Sequence, residues 1–252
     1  MKTYIINLEK DANRRKYMEQ LLVGSPFTEP EFVKAVYGKA LSAQEKAEIF
    51  DQKHFGYVYD GRASDGEIGC AVSHYRVWKN MAESDHNVAF VLEDDVKFDG
   101  DFAPLARWSA KWLDSPRPRV VLFSHYFFYC PCSVKSEDGY IFSRKPLGAF
   151  GAYCYGMNRT AATLLVNCLK PNSISDDWDY FQRRGLVVRA PLLHPVSVDY
   201  GFETNIEQRS AYIVSKFDAG ARLIAPCYFS RIGEFYRLIL YKTGLLRFCG
   251  KY

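Results

Sequence analysis

The 252-residue sequence lacks any run of the roughly 18 or more uncharged apolar residues that a membrane-spanning helix requires. Its start also lacks the extended apolar stretch of a secretory signal peptide, because residues 4–8 are followed at once by charged residues. These two absences predict a cytoplasmic protein.

The sequence contains no internal repeat, low-complexity block or Gly/Ser-rich linker that would mark a domain boundary. Its length suffices for one substantial hydrophobic core. We therefore predict a single domain over residues 1–230. The net charge of +4 is small, and outside the C-terminus it gives no sign of the extended basic groove that nucleic-acid binding requires.

Acidic residues are missing after Glu234, so the end of the chain, residues 231–252, is basic and rich in aromatic and aliphatic side chains. A segment of this kind can lie on an anionic membrane surface. It can equally form a terminal helix that packs on the domain and leaves a basic edge in solvent. The sequence leaves both interpretations open.

Zinc-type cysteine spacing is also absent, since the one close pair among seven cysteines, Cys130 and Cys132, is separated by a single residue. The other five are single cysteines, most of them among apolar residues, as buried free thiols are. We expect reduced, structural thiols throughout.

The hydrophobic pattern alternates between strands and helices along the chain. Predicted strands cover residues 3–8, 31–36, 87–92, 119–123 and 187–193. Predicted helices cover residues 65–83, 158–169 and 175–184, and a capping box begins another helix at Ser42. This order predicts an α/β fold with a mixed, mostly parallel central sheet flanked by helices.

Three consecutive carboxylates, Glu93, Asp94 and Asp95, directly follow one of these apolar strands. Adjacent carboxylates repel each other unless a cation is present, and oxygen ligands suit Mg²⁺ or Mn²⁺. Asn7 ends another strand and is expected at the same edge of the sheet. On pattern alone, a solvated turn or a helix cap is the commoner explanation of such a triplet.

The predicted helix over residues 65–83 carries Glu67 and His74 seven residues apart and therefore on one face. Ser73 and His74 are adjacent in sequence and point in different directions, so they do not form a nucleophile–base pair. A single histidine in an apolar helix is more often a hydrogen-bonded core residue than a ligand.

Four segments, in this order and spacing, resemble glycosyltransferase family 25, the lipooligosaccharide galactosyltransferase-like family. They are residues 5–8 with Arg14 and Arg15, residues 66–70 with Ser73, His74 and Trp78, residues 91–96, and the later glycine-rich stretch 148–153. The resemblance covers roughly the first two-thirds of the chain.

The resemblance implies a single-domain GT-A fold and inverting transfer of a hexose, foremost galactose from UDP-galactose, to a saccharide in lipooligosaccharide or lipopolysaccharide biosynthesis. It implies that Asp95 binds Mn²⁺ or Mg²⁺ on the diphosphate, with Glu93 on the ribose or among the ligands of the metal. His194 is a weaker third metal ligand. The residues expected around the nucleotide-sugar are Asn7, Leu8, Arg14, Arg15, Glu67, Ser73, His74, Glu93 and Asp94.

Inverting transfer also requires a base for the acceptor hydroxyl. The resemblance favours Asp177, with Asp176 and Asp179 as alternatives at the start of the same predicted helix. Helix capping is the competing explanation of all three, because acidic residues are favoured at helix N-termini.

The expected partners are a nucleotide-sugar donor and a lipid-anchored oligosaccharide acceptor, with peripheral binding to the inner face of the inner membrane through the C-terminal segment. Two other functions remain open. One is a metal-dependent phosphotransferase or nuclease that uses the same carboxylates, and the other is a degenerate transferase that only binds sugar.

Overall fold

The computed structural model describes residues 1–59, 61–100, 102–123, 126–193, 195–199, 201–202 and 240–249. The helices are α1 (Ala12–Leu21), α2 (Ala43–Ile49), α3 (Gln52–Tyr59), α4 (Asp65–Glu83), α5 (Ala103–Leu113), α6 (Arg159–Leu165) and α7 (Trp178–Arg183). The strands are β1 (Lys2–Asn7), β2 (Glu29–Lys34), β3 (Val88–Glu93), β4 (Val96–Phe98), β5 (Arg119–Leu122), β6 (Tyr126–Tyr129), β7 (Val134–Glu137), β8 (Tyr140–Ser143), β9 (Leu147–Phe150), β10 (Cys154–Asn158), β11 (Val187–Pro191), β12 (Val196–Val198) and β13 (Arg247–Cys249).

An eight-stranded sheet in the order β2-β1-β3-β10-β5-β11-β8-β7 forms the centre of the described structure. The α/β class and the mixed sheet flanked by helices are confirmed. The sheet is less parallel than expected, because β1–β2, β1–β3 and β5–β11 pair in parallel while the other four pairs are antiparallel. Two of these four pairs come from β10, which runs antiparallel between β3 and β5. The other two come from the short hairpin strands β7 and β8, which the sequence pattern did not reveal.

The sheet separates two hydrophobic cores, and alternate residues of the same strands enter each one. Ala89 and Val91 of β3 belong to the core beneath α4, α6 and α7. Phe90 and Leu92 of the same strand belong to the core on the other face, beneath α1 and α5. Fully buried strand positions of this kind explain why β3 reads as a continuous apolar run.

Helix α4 has the bounds that its apolar spacing predicts, Asp65 to Glu83. A capping box begins it, in which Ser64 accepts from the Glu67 backbone N–H and Glu67 accepts from the Ser64 backbone N–H. A second capping box, between Ser42 and Glu45, begins α2 as predicted.

Cys130 and Cys132 are joined by a disulfide, contrary to the expectation of reduced thiols throughout. The 3₁₀ turn Pro131–Ser133 brings their Cα atoms to 5.2 Å, within the range that a disulfide spans. Among the other described cysteines, Cys70, Cys154 and Cys168 are free thiols.

Part of the C-terminal segment 231–252 is described. Residues 247–249 form β13, which pairs with β6, while Tyr241 and Leu245 are exposed. Residues 231–239 and 250–252 lie outside the described part of the chain, as do residues 203–230 of the predicted catalytic domain. The described helices include none with the length and apolarity needed to cross a bilayer.

Candidate active site

Strands β1 and β3 run in parallel, with Ile6 opposite Glu93, so the residues that follow both strands meet at one edge of the sheet. The Asn7 side-chain amide donates to Asp94 Oδ2 at 2.7 Å. The predicted proximity of Asn7 and the carboxylate triplet is therefore confirmed.

Asp94 is buried and held by two donors. Besides Asn7, the guanidinium of Arg14 on α1 lies 2.6 Å from Asp94 Oδ1. Burial raises the pKa of Asp94, although the hydrogen bonds from Arg14 and Asn7 oppose that shift. Asp94 thus ties α1 to the ends of β1 and β3, and its two oxygens are engaged within the protein.

Asp95 differs from its neighbour. Arg14 donates to its Oδ2 at 3.1 Å, whereas Oδ1 is buried with no hydrogen-bond partner among the described residues. Burial, followed by repulsion from Glu93, raises the pKa of Asp95 to about 7. A buried carboxylate oxygen that lacks a donor is the place where a hard divalent cation would bind, so Asp95 fits the metal that the resemblance implies.

Glu93, the third member of the triplet, points toward α4. Its Oε1 lies 3.2 Å from Nε2 of His74, and Nδ1 of His74 lies 3.1 Å from the hydroxyl of Tyr155 on β10. Cys70 Sγ, one turn earlier on α4, is 3.1 Å from Ser175 Oγ. The ligand-type atoms of Cys70, His74 and Glu93 all lie within 4.8 Å of one another.

Two predicted ligand-contacting residues of α4 make structural contacts. Glu67 belongs to the capping box, and Ser73 donates to the Gly69 carbonyl at 2.6 Å while accepting from the Val36 N–H at 2.8 Å. A Cβ on Gly69 would lie 2.5 Å from the Val36 carbonyl oxygen, so glycine here admits the 36–38 loop against α4.

The three aspartates proposed as bases occupy different environments. Asp177 is the N-cap of α7, where its carboxylate accepts from the Tyr180 N–H and from the Tyr59 hydroxyl, each at 2.9 Å. Asp179 accepts from the Gly148 N–H at 3.0 Å. Both are held by contacts that organise α7 and the strand next to it.

Asp176 is an aspartate whose pKa the charge of Glu93 affects. Its Oδ2 accepts from the Gly151 N–H at 2.9 Å. Burial raises the pKa of Asp176, the Gly151 hydrogen bond lowers it, and repulsion from Glu93 and Asp177 raises it further. A carboxylate with a raised pKa is a stronger proton acceptor than one with an ordinary pKa.

The remaining predicted residues lie further from this cluster or outside the described chain. Arg15 is half-exposed, donates to Glu19 on its own helix and covers the Phe32 ring at 4.2 Å. Leu8 is partly buried, and its carbonyl accepts from the Asp11 N–H. His194 is outside the described residues, so its prediction as a metal ligand stays a prediction.

Three residues that the sequence reasoning did not assign to the site complete it. Tyr155 contacts His74, Ser175 contacts Cys70, and the Gly151 N–H holds Asp176. Their partners are 81, 105 and 25 residues away in sequence, respectively. The one local signal was the glycine-rich stretch 148–153, which contains Gly151 and precedes β10.

A family model described as glycosyltransferase family 25 (LPS biosynthesis protein) matches residues 1–178. This chain belongs to glycosyltransferase family 25. The match contains Asn7, the carboxylate triplet and the loop that leads into α7.

Curated relatives of this family 25 chain match over shorter stretches. Procollagen galactosyltransferase 1-B of Xenopus laevis is 37% identical over 99 residues, which cover 38% of this chain and 16% of that protein. Human procollagen galactosyltransferase 2 is 36% identical over 102 residues, covering 39% and 16%. The putative glycosyltransferase R655 of Acanthamoeba polyphaga mimivirus is 32% identical over 103 residues, covering 40% and 31%.

Solved structures with a similar chain trace are more distant. A197 from STIV has a TM-score of 0.38 at 12% identity, covering 83% of this chain and 100% of that one. The galactosyltransferase LgtC, solved with donor and acceptor sugar analogues, has a TM-score of 0.33 at 12% identity, covering 75% and 73%.

Proposed function

We propose that this family 25 chain is a metal-dependent GT-A type hexosyltransferase that transfers galactose from UDP-galactose to a saccharide hydroxyl with inversion. Family membership and the galactosyltransferase names of its relatives support the hexosyl class. The observation that carries the mechanism is the buried Oδ1 of Asp95, which has no hydrogen-bond donor among the described residues.

Asp95 would hold the divalent cation, because its buried Oδ1 is a hard oxygen ligand without a donor among the described residues. Bound there, the cation would act as a Lewis acid that stabilises the negative charge on the departing diphosphate. Arg14 and Asn7 hold the Asp94 side chain and thereby fix the backbone of the adjacent residue, Asp95.

The acceptor step requires a proton acceptor, and the structure supports Asp176 in that role ahead of Asp177. The acceptor oxygen forms a bond to the anomeric carbon as the bond from that carbon to the diphosphate oxygen breaks. The bonding electron pair leaves with UDP, and the hydroxyl proton passes to the Asp176 carboxylate. Asp177 has both oxygens engaged in capping α7 and binding Tyr59, which leaves it less available.

The test is UDP release from a panel of UDP-sugars, with and without Mn²⁺, for the wild type and Asp95→Asn. We expect one preferred donor and a loss on the order of 10²–10³-fold in kcat for the variant, since it loses charge stabilisation in the transition state. Asp138→Asn, on an exposed turn, is the matched control. Absence of nucleotide binding by calorimetry would reject the transferase assignment, and cleavage of phosphodiesters would favour the nuclease alternative.

We further propose a lipid-linked glycan precursor as acceptor, met at the cytoplasmic face of the inner membrane. The family description names LPS biosynthesis, and the described end of the chain carries exposed Tyr241 and Leu245 near Lys242 and Arg247. Sedimentation with phosphatidylglycerol vesicles, compared with phosphatidylcholine vesicles, tests the membrane component. Transfer to collagen peptides and not to lipid-linked saccharides would contradict this acceptor. It would instead indicate a procollagen acceptor, as in the names of the animal relatives.

A further inference from the structure

A chain of hydrogen-bonded side chains runs from the core to the candidate active site. Trp78 Nε1 donates to the Tyr155 hydroxyl at 2.8 Å, that hydroxyl lies 3.1 Å from His74 Nδ1, and His74 Nε2 lies 3.2 Å from Glu93 Oε1. His74 is 1% exposed, whereas the Glu93 side chain is 27% exposed. This series of hydrogen-bonded side chains therefore ends on the Glu93 carboxylate, which a ligand can reach.

The chemistry of Trp78, Tyr155, His74 and Glu93 assigns every proton in this series of hydrogen bonds. An indole N–H can only donate, so the Tyr155 oxygen accepts from Trp78 and keeps its own proton for another acceptor. An ionised carboxylate can only accept, so His74 Nε2 must carry a proton to bond with Glu93. Nδ1 of a neutral imidazole is then the acceptor for the Tyr155 O–H.

The other protonation states fit this arrangement less well. If His74 were protonated at Nδ1, both Trp78 and His74 would donate to the Tyr155 oxygen, and the phenolic proton would have no acceptor among the residues described. A buried polar group left without a hydrogen-bond partner is unfavourable. The surroundings thus select the Nε2–H form of His74.

We propose that His74 is a positioning residue, which Tyr155 holds in its Nε2–H form so that His74 fixes the Glu93 carboxylate to receive a hydroxyl group of the bound sugar nucleotide. The ligand class rests on the proposed function. Glu93 needs this support because Asp94 and Asp95 follow it directly in sequence, and repulsion among carboxylates would otherwise turn it away from the site.

His74 is the one side chain that donates to Glu93 in the described part of the chain, and it occupies one of the two carboxylate oxygens. The other oxygen is left for a ligand hydroxyl. A carboxylate that is held before the ligand arrives loses little freedom on binding, which improves both affinity and alignment.

The first experiment measures the tautomer directly, without substrate, by ¹⁵N–¹H correlation spectra of histidine-labelled, metal-free protein. The His74 signals are assigned by their loss in His74→Gln. We expect the neutral Nε2–H pattern in the wild type, a change in Tyr155→Phe, and no change in Tyr75→Phe. Tyr75 is the matched control because it lies on α4 next to His74 and donates to the Cys168 carbonyl. A neutral Nδ1–H pattern in the wild type would overturn the proposal.

The same spectra, recorded after addition of ZnCl₂ alone, examine the other use of this cluster. Cys70, His74 and Glu93 together could bind a soft cation, which would replace the Nε2 proton. An unchanged Nε2–H signal supports positioning. A metal-bound nitrogen shift that disappears in Cys70→Ser would overturn it and identify a thiolate–imidazole–carboxylate metal site.

The second experiment compares His74→Leu with His74→Gln, whose side-chain amide can still donate to Glu93. We expect His74→Leu to lower kcat/KM for the donor by roughly 10–100-fold, as removal of supporting residues around a site does. His74→Gln should recover much of that loss at an unchanged thermal midpoint. Equal losses in both variants, with both folded, would overturn the positioning role. An inactive wild type would count against the proposed function alone, since the tautomer measurement needs no activity.

Discussion

At the scale of single residues, the site is dominated by the contrast between two adjacent aspartates. Asp94 has donors for both carboxylate oxygens, from Asn7 and Arg14. Asp95 shares the Arg14 guanidinium but leaves its buried Oδ1 without a donor in the described structure. Asp94 therefore ties α1 to the ends of β1 and β3, and its two donors oppose the cost of its burial. Asp95 carries an electrostatic cost that a bound cation would remove.

Asp95→Asn should make the protein more stable at neutral pH in the absence of metal. The folded-state pKa of Asp95 is about 7 against an ordinary value of 3.8, so the folded protein binds a proton more readily than the unfolded chain. The unfolding free energy of the wild type should therefore fall as pH rises from about 4 to about 7, by an amount on the order of 2–4 kcal/mol. Urea unfolding of wild type and variant across this range measures the difference. If the unfolding free energies of wild type and variant changed with pH in parallel, the raised pKa of Asp95 would be contradicted.

Substitutions at Asp176 and Asp177 should affect different properties, catalysis at Asp176 and stability at Asp177. Asp177→Ala removes the α7 cap and the Tyr59 contact, and should reduce the unfolding free energy by about 1–2 kcal/mol. Asp176→Asn keeps an acceptor for the Gly151 N–H and should reduce kcat by roughly 10²–10⁴-fold with little change in stability. Steady-state kinetics and urea unfolding of both variants decide the assignment. An active Asp176→Asn together with a stable, inactive Asp177→Ala would return the base role to Asp177.

At the scale of elements, α4 is the scaffold of the site. It carries Cys70, His74 and Trp78 toward β3 and β10, while its first turns pack against the 36–38 loop. The contact with that loop is between backbones, because a Cβ on Gly38 would lie 1.8 Å from the Asp65 carbonyl oxygen. The position of His74 thus depends on glycine at both sides of this packing.

Gly69→Ala should destabilise the protein although alanine favours helices by about 1 kcal/mol over glycine. The added methyl group would lie 2.5 Å from the Val36 carbonyl oxygen and 3.0 Å from the Gly38 nitrogen, so backbone must move. We expect a loss of about 1–3 kcal/mol in the unfolding free energy. Gly56→Ala in α3, where the nearest atom would be 3.3 Å away, is the control and should change stability by less than about 1 kcal/mol. Equal effects of both substitutions would show that α4 and the loop can separate at little cost.

The predictability of each element follows from how local its determinants are. Helix α4 has its predicted ends because its apolar spacing runs over 19 residues, and the structure adds a Ser64–Glu67 cap that the sequence analysis did not identify. Strands β1, β3, β5 and β11 were recognised as apolar runs, within one or two residues of their ends. Strands β6 to β10 are only four or five residues long, and pairing partners rather than local pattern determine them.

The residues of the site also differ in whether local sequence or distant partners determine their contacts. The meeting of Asn7 with the carboxylate triplet followed from strand order alone, since parallel strands end at one edge. The capping role of Asp177 was the alternative explanation of an acidic helix start, and the structure contains that cap. The contact of His74 with Tyr155 joins residues 81 positions apart, and no local pattern encodes such a pair.

At the scale of the whole molecule, the central sheet couples the two hydrophobic cores. Neighbouring residues of one strand enter opposite cores, as Ile5 and Ile6 of β1 do, so neither core can be exposed without loss of the shared strands. Trp78 and Trp178 lie in the core beneath α4, while Trp108 lies in the core beneath α5 and Trp112 packs against that core. These tryptophans therefore provide a separate optical signal for each face of the sheet.

We expect both faces to unfold in one transition. A Trp108→Phe/Trp112→Phe variant confines the tryptophan emission to the α4 face, and a Trp78→Phe/Trp178→Phe variant confines it to the α5 face. Within each variant, the urea midpoint from fluorescence should match the midpoint from far-UV circular dichroism, which follows the backbone of the whole chain. The comparison is made inside each variant, so the stability cost of the substitutions does not affect it. Separate midpoints within either variant would show that one layer of helices leaves the sheet before the strands separate, and that α4 can release His74 while β3 still holds Glu93.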